Sequence, residues 1–165
     1  MNSLVDIDET IQRISDLCIE LFELLDLESK GVLDRTTLGL LLILLSKGNK
    51  LDKIMCCFRY LFDSDDDEIY IDGLVTFFSS VLRLKLTKAY TSIPMWRTLK
   101  YTVDQTKRSK EMLAQVGKIA GLAATTADDA YDLLEKDTTD PISVEEFILW
   151  LEHGNPEIFN GLASL

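Results

Sequence analysis

The sequence predicts an all-α protein built from four helix–loop–helix units in two pairs, with short β-bridges between paired loops. Two observations predict this class. Apolar residues recur with the 3.6-residue period of an amphipathic helix through most of the 165-residue chain. Short acidic or polar segments interrupt that period at intervals. Hydrophobic residues make up 47% of the chain, so a core can form.

The first half of the chain contains two such units. Its apolar periodicity predicts helices over residues 6–25, 35–46, 51–62 and about 74–82. The segment DLESKG separates the first two helices, and Lys47-Gly48-Asn49 is a stop signal after the second. The acidic segment FDSDDDEIYIDG separates the third helix from the fourth. We therefore assign residues 1–86 to an N-terminal pair of units.

The second half is less regular. Helices are predicted over residues 95–103, 112–121, 125–134 and 144–153, followed by a short tail helix over 156–162. Thr125 or Thr126 is a candidate N-cap for the third of these helices. Residues 87–165 form the predicted C-terminal pair. The linker before Pro94 contains no glycine, which favours two lobes in contact.

The spacing of apolar and acidic residues resembles the EF-hand superfamily, to which calmodulin and the neuronal calcium sensors belong. A loop of this family places oxygen ligands at positions 1, 3, 5, 9 and 12 and glycine at position 6. Counted from Asp26, Gly31 falls at position 6 and the aliphatic Leu33 at position 8. A similar apolar frame recurs in the second and fourth units. The resemblance covers about residues 10–165.

The resemblance implies that two of the four loops have lost their ligands. Lys30 stands at position 5 of the first loop, and Thr37 stands at position 12, where the family has a bidentate carboxylate. The third loop, at residues 101–111, contains three basic residues. We expect both loops to be empty.

The second and fourth loops retain the metal ligands that the resemblance implies. These are Asp63, Asp65 and Asp67 in the second loop and Glu135, Asp137, Thr139, Ser143 and Glu146 in the fourth. The second loop lacks a carboxylate at position 12, so it is interpreted as a solvated acidic turn or a weak calcium or magnesium site. The fourth loop has Glu135 at position 1 and Asp140 in place of glycine at position 6. It is the stronger candidate for weak calcium binding.

The family also implies paired loops and a groove that holds a partner helix. We expect Leu33 to pair with Ile69, and residues near 107 to pair with Ile142. The residues expected to line the groove are Leu41, Leu45, Phe77, Phe78, Val81, Leu82, Met112 and Trp150. The alternative is that they are simply core residues. The formal net charge of −11 favours a basic amphipathic partner helix.

Two functions follow from the resemblance. The first is a calcium-independent adaptor or light-chain-like subunit that binds a helix of a larger protein. The alternative is a calcium sensor in which the fourth loop, helped weakly by the second, controls partner binding. The tail helix, through Ile158, Phe159 and Leu162, is a candidate to fill the groove when no partner is present.

The remaining observations bear on other classes of protein. The acidic chain has no basic stripe for nucleic acid, and its longest apolar run, residues 40–45, is too short for a membrane helix. The N-terminus has no signal-peptide pattern, and Asn2 stands where N-myristoylation requires glycine. No nucleophile motif or phosphate loop suggests an enzyme, and the lone His153 is expected to cap a helix. Three cysteines without a disulfide pattern favour the cytoplasm.

Overall fold

The computed structural model describes residues 3–62, 68–91 and 105–153. These residues are mostly helical with one two-stranded sheet, which confirms the all-α class. The elements are α1 (Ser3–Leu25), α2 (Arg35–Leu45), α3 (Lys50–Leu61), β1 (Glu68–Ile69), α4 (Ile71–Thr91), α5 (Gln105–Leu133), β2 (Ile142–Ser143) and α6 (Val144–His153).

Helices α2 and α3 begin at strong local caps. The Asp34 carboxylate accepts a hydrogen bond from the Thr37 backbone N–H at 2.7 Å. Asn49 and Asp52 form a capping box at the start of α3, in which each side chain accepts from the other residue's backbone N–H. These caps satisfy N–H groups that have no partner within the helix. Both helices therefore lie within one or two residues of their predicted ranges.

Helix α5 corrects the sequence prediction for the third unit. Separate helices were expected over 112–121 and 125–134, with a loop at 101–111, but residues 105–133 form one continuous helix. Thr125 and Thr126 do not cap a helix. Their hydroxyls donate to the carbonyl oxygens of Gly121 and Leu122, at 3.1 and 2.8 Å, as threonines do inside a helix. Several polar residues of this segment, such as Gln105, Lys107 and Arg108, are good helix formers, so their polarity does not require a break in the helix.

The two-stranded sheet joins the second loop to the fourth. Ile69 pairs with Ile142 and Glu68 with Ser143, in antiparallel register. The expected pairings of Leu33 with Ile69 and of residues near 107 with Ile142 are therefore wrong. Lys107 lies in helix α5, and Leu33 lies outside any strand. The observed pairing brings together two isoleucines that are both buried, whereas Leu33 is only half-buried.

Helices α4 and α5 make the most extensive helix–helix contact in the described part of the chain. The buried face of α5 contains Ala123, Ala127 and Ala130, which recur at helical spacing. Small side chains on this face allow the axes of packed helices to approach closely. This contact also brings the end of α5 close to the start of α4, where the two strands meet.

An aromatic cluster occupies the centre of the core. It joins α3, α4 and α6 through rings whose centroids lie 5.1–6.1 Å apart: Phe58, Phe62, Phe77, Phe78, Phe147 and Trp150. Each such pair contributes about 0.5–1.5 kcal/mol beyond area burial. The core includes residues from both sides of residue 86, and α4 itself crosses that position. The division into 1–86 and 87–165 stays a prediction.

Candidate functional site

The fourth loop begins with a helix cap. Glu135 has a left-handed backbone, with φ of 54°. Its N–H donates to the Asp132 carbonyl oxygen at 3.2 Å. The N–H of Lys136 donates to the Tyr131 carbonyl oxygen at 3.0 Å. These two bonds form a Schellman motif that ends α5. The backbone of the first predicted ligand, Glu135, thus closes a helix, and its side chain is exposed.

The Glu146 carboxylate is bonded to a lysine of its own loop. The Lys136 ammonium donates to both carboxylate oxygens of Glu146, at 2.9 and 2.7 Å. The Ser143 N–H donates to the same carboxylate at 2.8 Å, and the Glu146 N–H donates back to Ser143 Oγ at 3.3 Å. Ser143 and Glu146 therefore form the capping box of α6. The two oxygens that a bidentate calcium ligand offers to the ion are both in contact with an ammonium group.

These contacts keep Glu146 ionised. Partial burial raises the pKa of this carboxyl, but the hydrogen bonds from Lys136 and Ser143 outweigh burial, and the net pKa lies below the ordinary glutamate value. The loop is also tied down from inside the fold, since the buried Tyr131 donates its hydroxyl proton to the Asp140 carbonyl oxygen at 2.9 Å. Hydrogen bonds from Tyr131, Lys136 and Ser143 thus hold the fourth loop.

The other two predicted ligands of this loop form a separate pair. Both the N–H and the hydroxyl of Thr139 donate to one oxygen of Asp137, each at 3.1 Å. These bonds, the backbone one first, lower the pKa of Asp137. Across residues 3–62, 68–91 and 105–153, no group of three or more His, Cys, Asp or Glu side chains is arranged to hold a metal ion. The ligand set of the fourth loop stays a prediction.

In the second loop, the predicted ligands Asp63, Asp65 and Asp67 lie outside the described residues, so that site also stays a prediction.

In the first loop, as in the fourth, basic side chains of the protein bond to an acidic side chain of the loop. The Asp26 carboxylate accepts from the N–H groups of Lys30 and Gly31, at 2.9 and 2.7 Å. Lys30 also forms an ion pair with Glu28, which receives a second bond from Arg83 of α4 at 2.9 Å. The hydrogen bonds from Lys30 and then Arg83 lower the pKa of Glu28. In both described loops, a lysine of the loop forms an ion pair with a glutamate: Lys30 with Glu28 and Lys136 with Glu146.

The predicted groove residues do not share one accessible surface. Phe77, Phe78, Val81 and Trp150 are buried core residues, which is the alternative that the sequence left open. Leu41 and Leu82 are half-buried against the core, and Leu45 is exposed. Met112 lies on α5, but its side chain is outside the described part of the structure.

One row of exposed apolar residues lies on helix α1. Ile7, Ile11 and Ile14 are 54%, 59% and 55% exposed, and Cys18 on the same face is exposed as well. These four residues recur at spacings of four, three and four, so they form one stripe along about 17 Å of helix. We call this set the α1 stripe. The face continues into the half-buried Leu21, while α1 contacts α4.

The rest of α1 is strongly acidic. Its sequence has one basic residue, Arg13, against six acidic residues, Asp6, Asp8, Glu9, Asp16, Glu20 and Glu23, a net charge of −5. The sequence predicts a helix over residues 6–25 from its apolar periodicity, which does not identify what covers the apolar face. The excess of carboxylates on this helix was the one sequence signal of a solvated element.

A second apolar feature is a pocket of about 180 Å³ between α2, α3, α4 and α6. Its wall is largely apolar and includes Leu44, Ile54 and Phe77. Lys50 and Lys53 also line it, and the Lys53 ammonium donates to the Leu44 carbonyl oxygen at 2.6 Å. The pocket is thus apolar with a cationic margin.

Comparison with known proteins gives no match to a family model, to a curated protein or to a solved structure. Among the described helices, none is long and apolar enough to cross a membrane.

Proposed function

We propose that this protein is a non-catalytic, calcium-independent adaptor of the EF-hand type that binds a basic amphipathic helix of a partner protein. The exposure of the α1 stripe is the observation that carries this proposal. Burying an isoleucine side chain fully contributes about 1.5–3 kcal/mol, so three half-exposed isoleucines offer a partner several kcal/mol. An exposed apolar row on an otherwise polar helix is typical of an interaction surface.

Charge determines the kind of partner helix. The net charge of −5 on α1 and of −11 on the chain favours lysine and arginine beside the apolar anchors of the partner. On the side of α1 away from the stripe, Gln12 donates to the Asp16 carboxylate at 2.9 Å, so that side is engaged in polar contacts. Because exposed charges are screened by salt, binding should weaken as ionic strength rises.

The loop contacts support calcium independence. A calcium ion at Glu146 would have to displace the Lys136 ammonium from both carboxylate oxygens. Such displacement costs a charge-assisted pair of hydrogen bonds before any ion is bound. In the first loop, Lys30 and Arg83 occupy Glu28 in a similar way. The adaptor therefore needs no ion to hold these loops.

A non-catalytic role agrees with the chemistry of the described residues. His153, the single histidine of the chain, places Nδ1 3.1 Å from the Leu149 carbonyl oxygen in the last turn of α6. Burial raises the pKa of the Cys57 thiol to about 12, so this thiol remains protonated at neutral pH. Neither group has the environment of an activated base or nucleophile.

A calcium sensor remains the second candidate, because Asp137 and Glu146 both have lowered pKa values and are carboxylates at neutral pH. In that case, calcium would replace Lys136 on Glu146. Partner binding would then depend on calcium, whereas the adaptor binds equally well without it.

The binding test uses a synthetic leucine–lysine peptide that forms an amphipathic helix of about 18 residues, roughly 27 Å long. We expect binding to the wild-type chain in EDTA and a loss of about tenfold or more in affinity for Ile11→Asp. Ile19 is 55% exposed on the same helix but lies off the stripe, so Ile19→Asp is the matched control. An equal loss in both variants, or no binding by the wild type, would contradict the proposal.

A further inference from the structure

The described part of the core contains a cavity larger than close packing leaves. This cavity is the apolar pocket of about 180 Å³ between α2, α3, α4 and α6. Protein cores are packed closely and contain few voids larger than a water molecule. A void of this size is therefore room for a ligand. Seven apolar residues of its wall are each at most 7% exposed: Leu40, Leu44, Ile54, Cys57, Phe77, Phe147 and Leu151.

The pocket opens at the connection between α2 and α3. The lining residues that reach solvent are Gly48 and Lys50, which are exposed, and Lys53, which is half-buried. Because the rest of the wall is buried, the pocket enters the core from a cationic mouth. Such a shape suits a small molecule with an apolar body, whereas a partner helix needs an open groove along which it can lie.

Lys53 places a positive charge at this mouth. Its ammonium donates to the carbonyl oxygen of Leu44 in the last turn of α2, at 2.6 Å. A carbonyl is neutral and takes one of the three N–H donors of an ammonium group, so this contact neither neutralises the charge nor uses every donor. Hydrogen bonds from an ammonium to a carboxylate are shorter and stronger than those to a neutral group. The mouth therefore favours an anionic head group.

A second cavity lacks this combination. It has a volume of about 210 Å³, lies beside the first loop and is also lined by two cations, Lys30 and Arg83. Both of them bond to Glu28, which lines the same cavity. An anion there would have to displace a carboxylate of the protein, whereas an anion at Lys53 would meet a lysine that is bonded to a neutral carbonyl. The pocket between α2 and α3 is therefore the better anion site of the two.

We propose that this pocket binds an aliphatic carboxylate of about six to eight carbons. The chain of the ligand would lie among the apolar residues of the wall, and its carboxylate would accept hydrogen bonds from Lys53 at the mouth. The length follows from the volume, because an apolar cavity of roughly 150 Å³ holds one benzene ring and this pocket is larger. The inference does not depend on the proposed function, since no residue of the α1 stripe lines the pocket.

The test is a calorimetric titration of the full chain with octanoate. We expect a dissociation constant on the order of 10⁻⁴ to 10⁻³ M, which a ligand of about ten heavy atoms can supply. Octanol should bind more weakly, and octylammonium more weakly still, since Lys53 repels a cation. Two results would overturn the inference: no binding of octanoate at millimolar concentrations, or octylammonium that binds as tightly as octanoate.

Two variants separate the head-group site from the apolar site. Lys53→Met removes the ammonium but keeps an unbranched side chain, so octanoate should bind at least about fivefold more weakly while octanol binding is unchanged. Lys118→Met removes an exposed lysine of α5 and is the matched control, which should bind octanoate as wild type does. Cys57→Leu places a larger side chain in the pocket. It should weaken the binding of both ligands at least about tenfold without lowering the melting temperature.

Unchanged octanoate binding in Lys53→Met, or in a folded Cys57→Leu, would place the ligand elsewhere and contradict the inference. If Cys57→Leu does not fold, Lys53→Met and its control still decide, because Lys53 lies at the solvent end of the pocket. Phe159→Asp tests the predicted tail helix as a competing occupant. Unchanged affinity for octanoate in this variant supports a free ligand, whereas a higher affinity would assign the pocket to the tail.

Discussion

Helices α1 and α5 both have an apolar face at helical spacing, but they use it differently. The alanine face of α5, at residues 123, 127 and 130, is buried and packs in the contact with α4. The stripe on α1 is more than half exposed at Ile7, Ile11 and Ile14. Hydrophobic periodicity thus identifies the apolar face of a helix, but it does not identify which element or molecule covers that face. An apolar face left open in the folded chain is available to another molecule.

The largest expected change in the free energy of unfolding comes from placing an aspartate on each of the two apolar faces, that of α5 and that of α1. Ala127→Asp places a carboxylate at a fully buried position of the core, and we expect it to lower the free energy of unfolding by at least about 3 kcal/mol. Ile11→Asp changes an exposed position and should alter the free energy of unfolding by less than about 0.5 kcal/mol. Urea unfolding followed by circular dichroism measures both. Comparable losses in the two variants would mean that α1 also packs its stripe within the chain.

This comparison also shows what the sequence could predict. Apolar periodicity and the stop signal at Lys47-Gly48-Asn49 predicted α2 and α3 to within one residue, because both depend on residues that are close in sequence. The partner of Ile69 depended on the packing of α4 against α5, which is a contact between distant parts of the chain. Its true partner, Ile142, could not be distinguished from Leu33 by local pattern, since all three are aliphatic residues at equivalent loop positions.

In the candidate sites, too, contacts between residues close in sequence could be predicted, whereas contacts between distant residues could not. Ser143 and Glu146, which were predicted as metal ligands, lie together in a capping box, because a spacing of three residues fits a helix cap as well as a ligand pair. Their role as metal ligands stays a prediction. The role of Lys136 was missed, since its ion pair with Glu146 spans ten residues and a folded loop. The burial of Phe77 and Trp150, by contrast, was one of the two alternatives that their apolar character allowed.

A smaller effect tests the continuity of α5. Gly121 lies inside the helix where a break was predicted, and a Cβ atom there would meet no neighbouring atom within 4 Å. Gly121→Ala should therefore raise the free energy of unfolding by about 0.5–1 kcal/mol. Gly73→Ala is the opposite case, since its Cβ would lie 2.9 Å from Ile69 Cγ1, and we expect it to destabilise. Thermal unfolding of both variants measures the difference, and a destabilising Gly121→Ala would indicate a break in the helix.

The smallest expected change in stability comes from removing the Lys136 ammonium group from the fourth loop. Lys136→Met removes the ammonium from Glu146, and we expect a loss of about 0.5 kcal/mol at neutral pH, because this pair is partly exposed and screened. A carboxyl with a lowered folded-state pKa stabilises the fold above its unfolded pKa, and this contribution is lost as pH falls through the folded value. In the variant, the folded-state pKa lies closer to the unfolded value, so the loss of stability on acidification should be smaller and should end at a higher pH. Unfolding free energies measured from pH 7 to pH 3 test this, and identical pH profiles would contradict it.

The most direct test of the central claim is the affinity of the leucine–lysine peptide for the wild-type chain, measured by calorimetry in EDTA and again in millimolar calcium. The adaptor account predicts the same dissociation constant in both buffers, because the α1 stripe is exposed without any ion. It also predicts that Ile11→Asp loses the binding. Binding that occurs only with calcium would contradict the account and would favour a sensor in which calcium displaces Lys136 from Glu146.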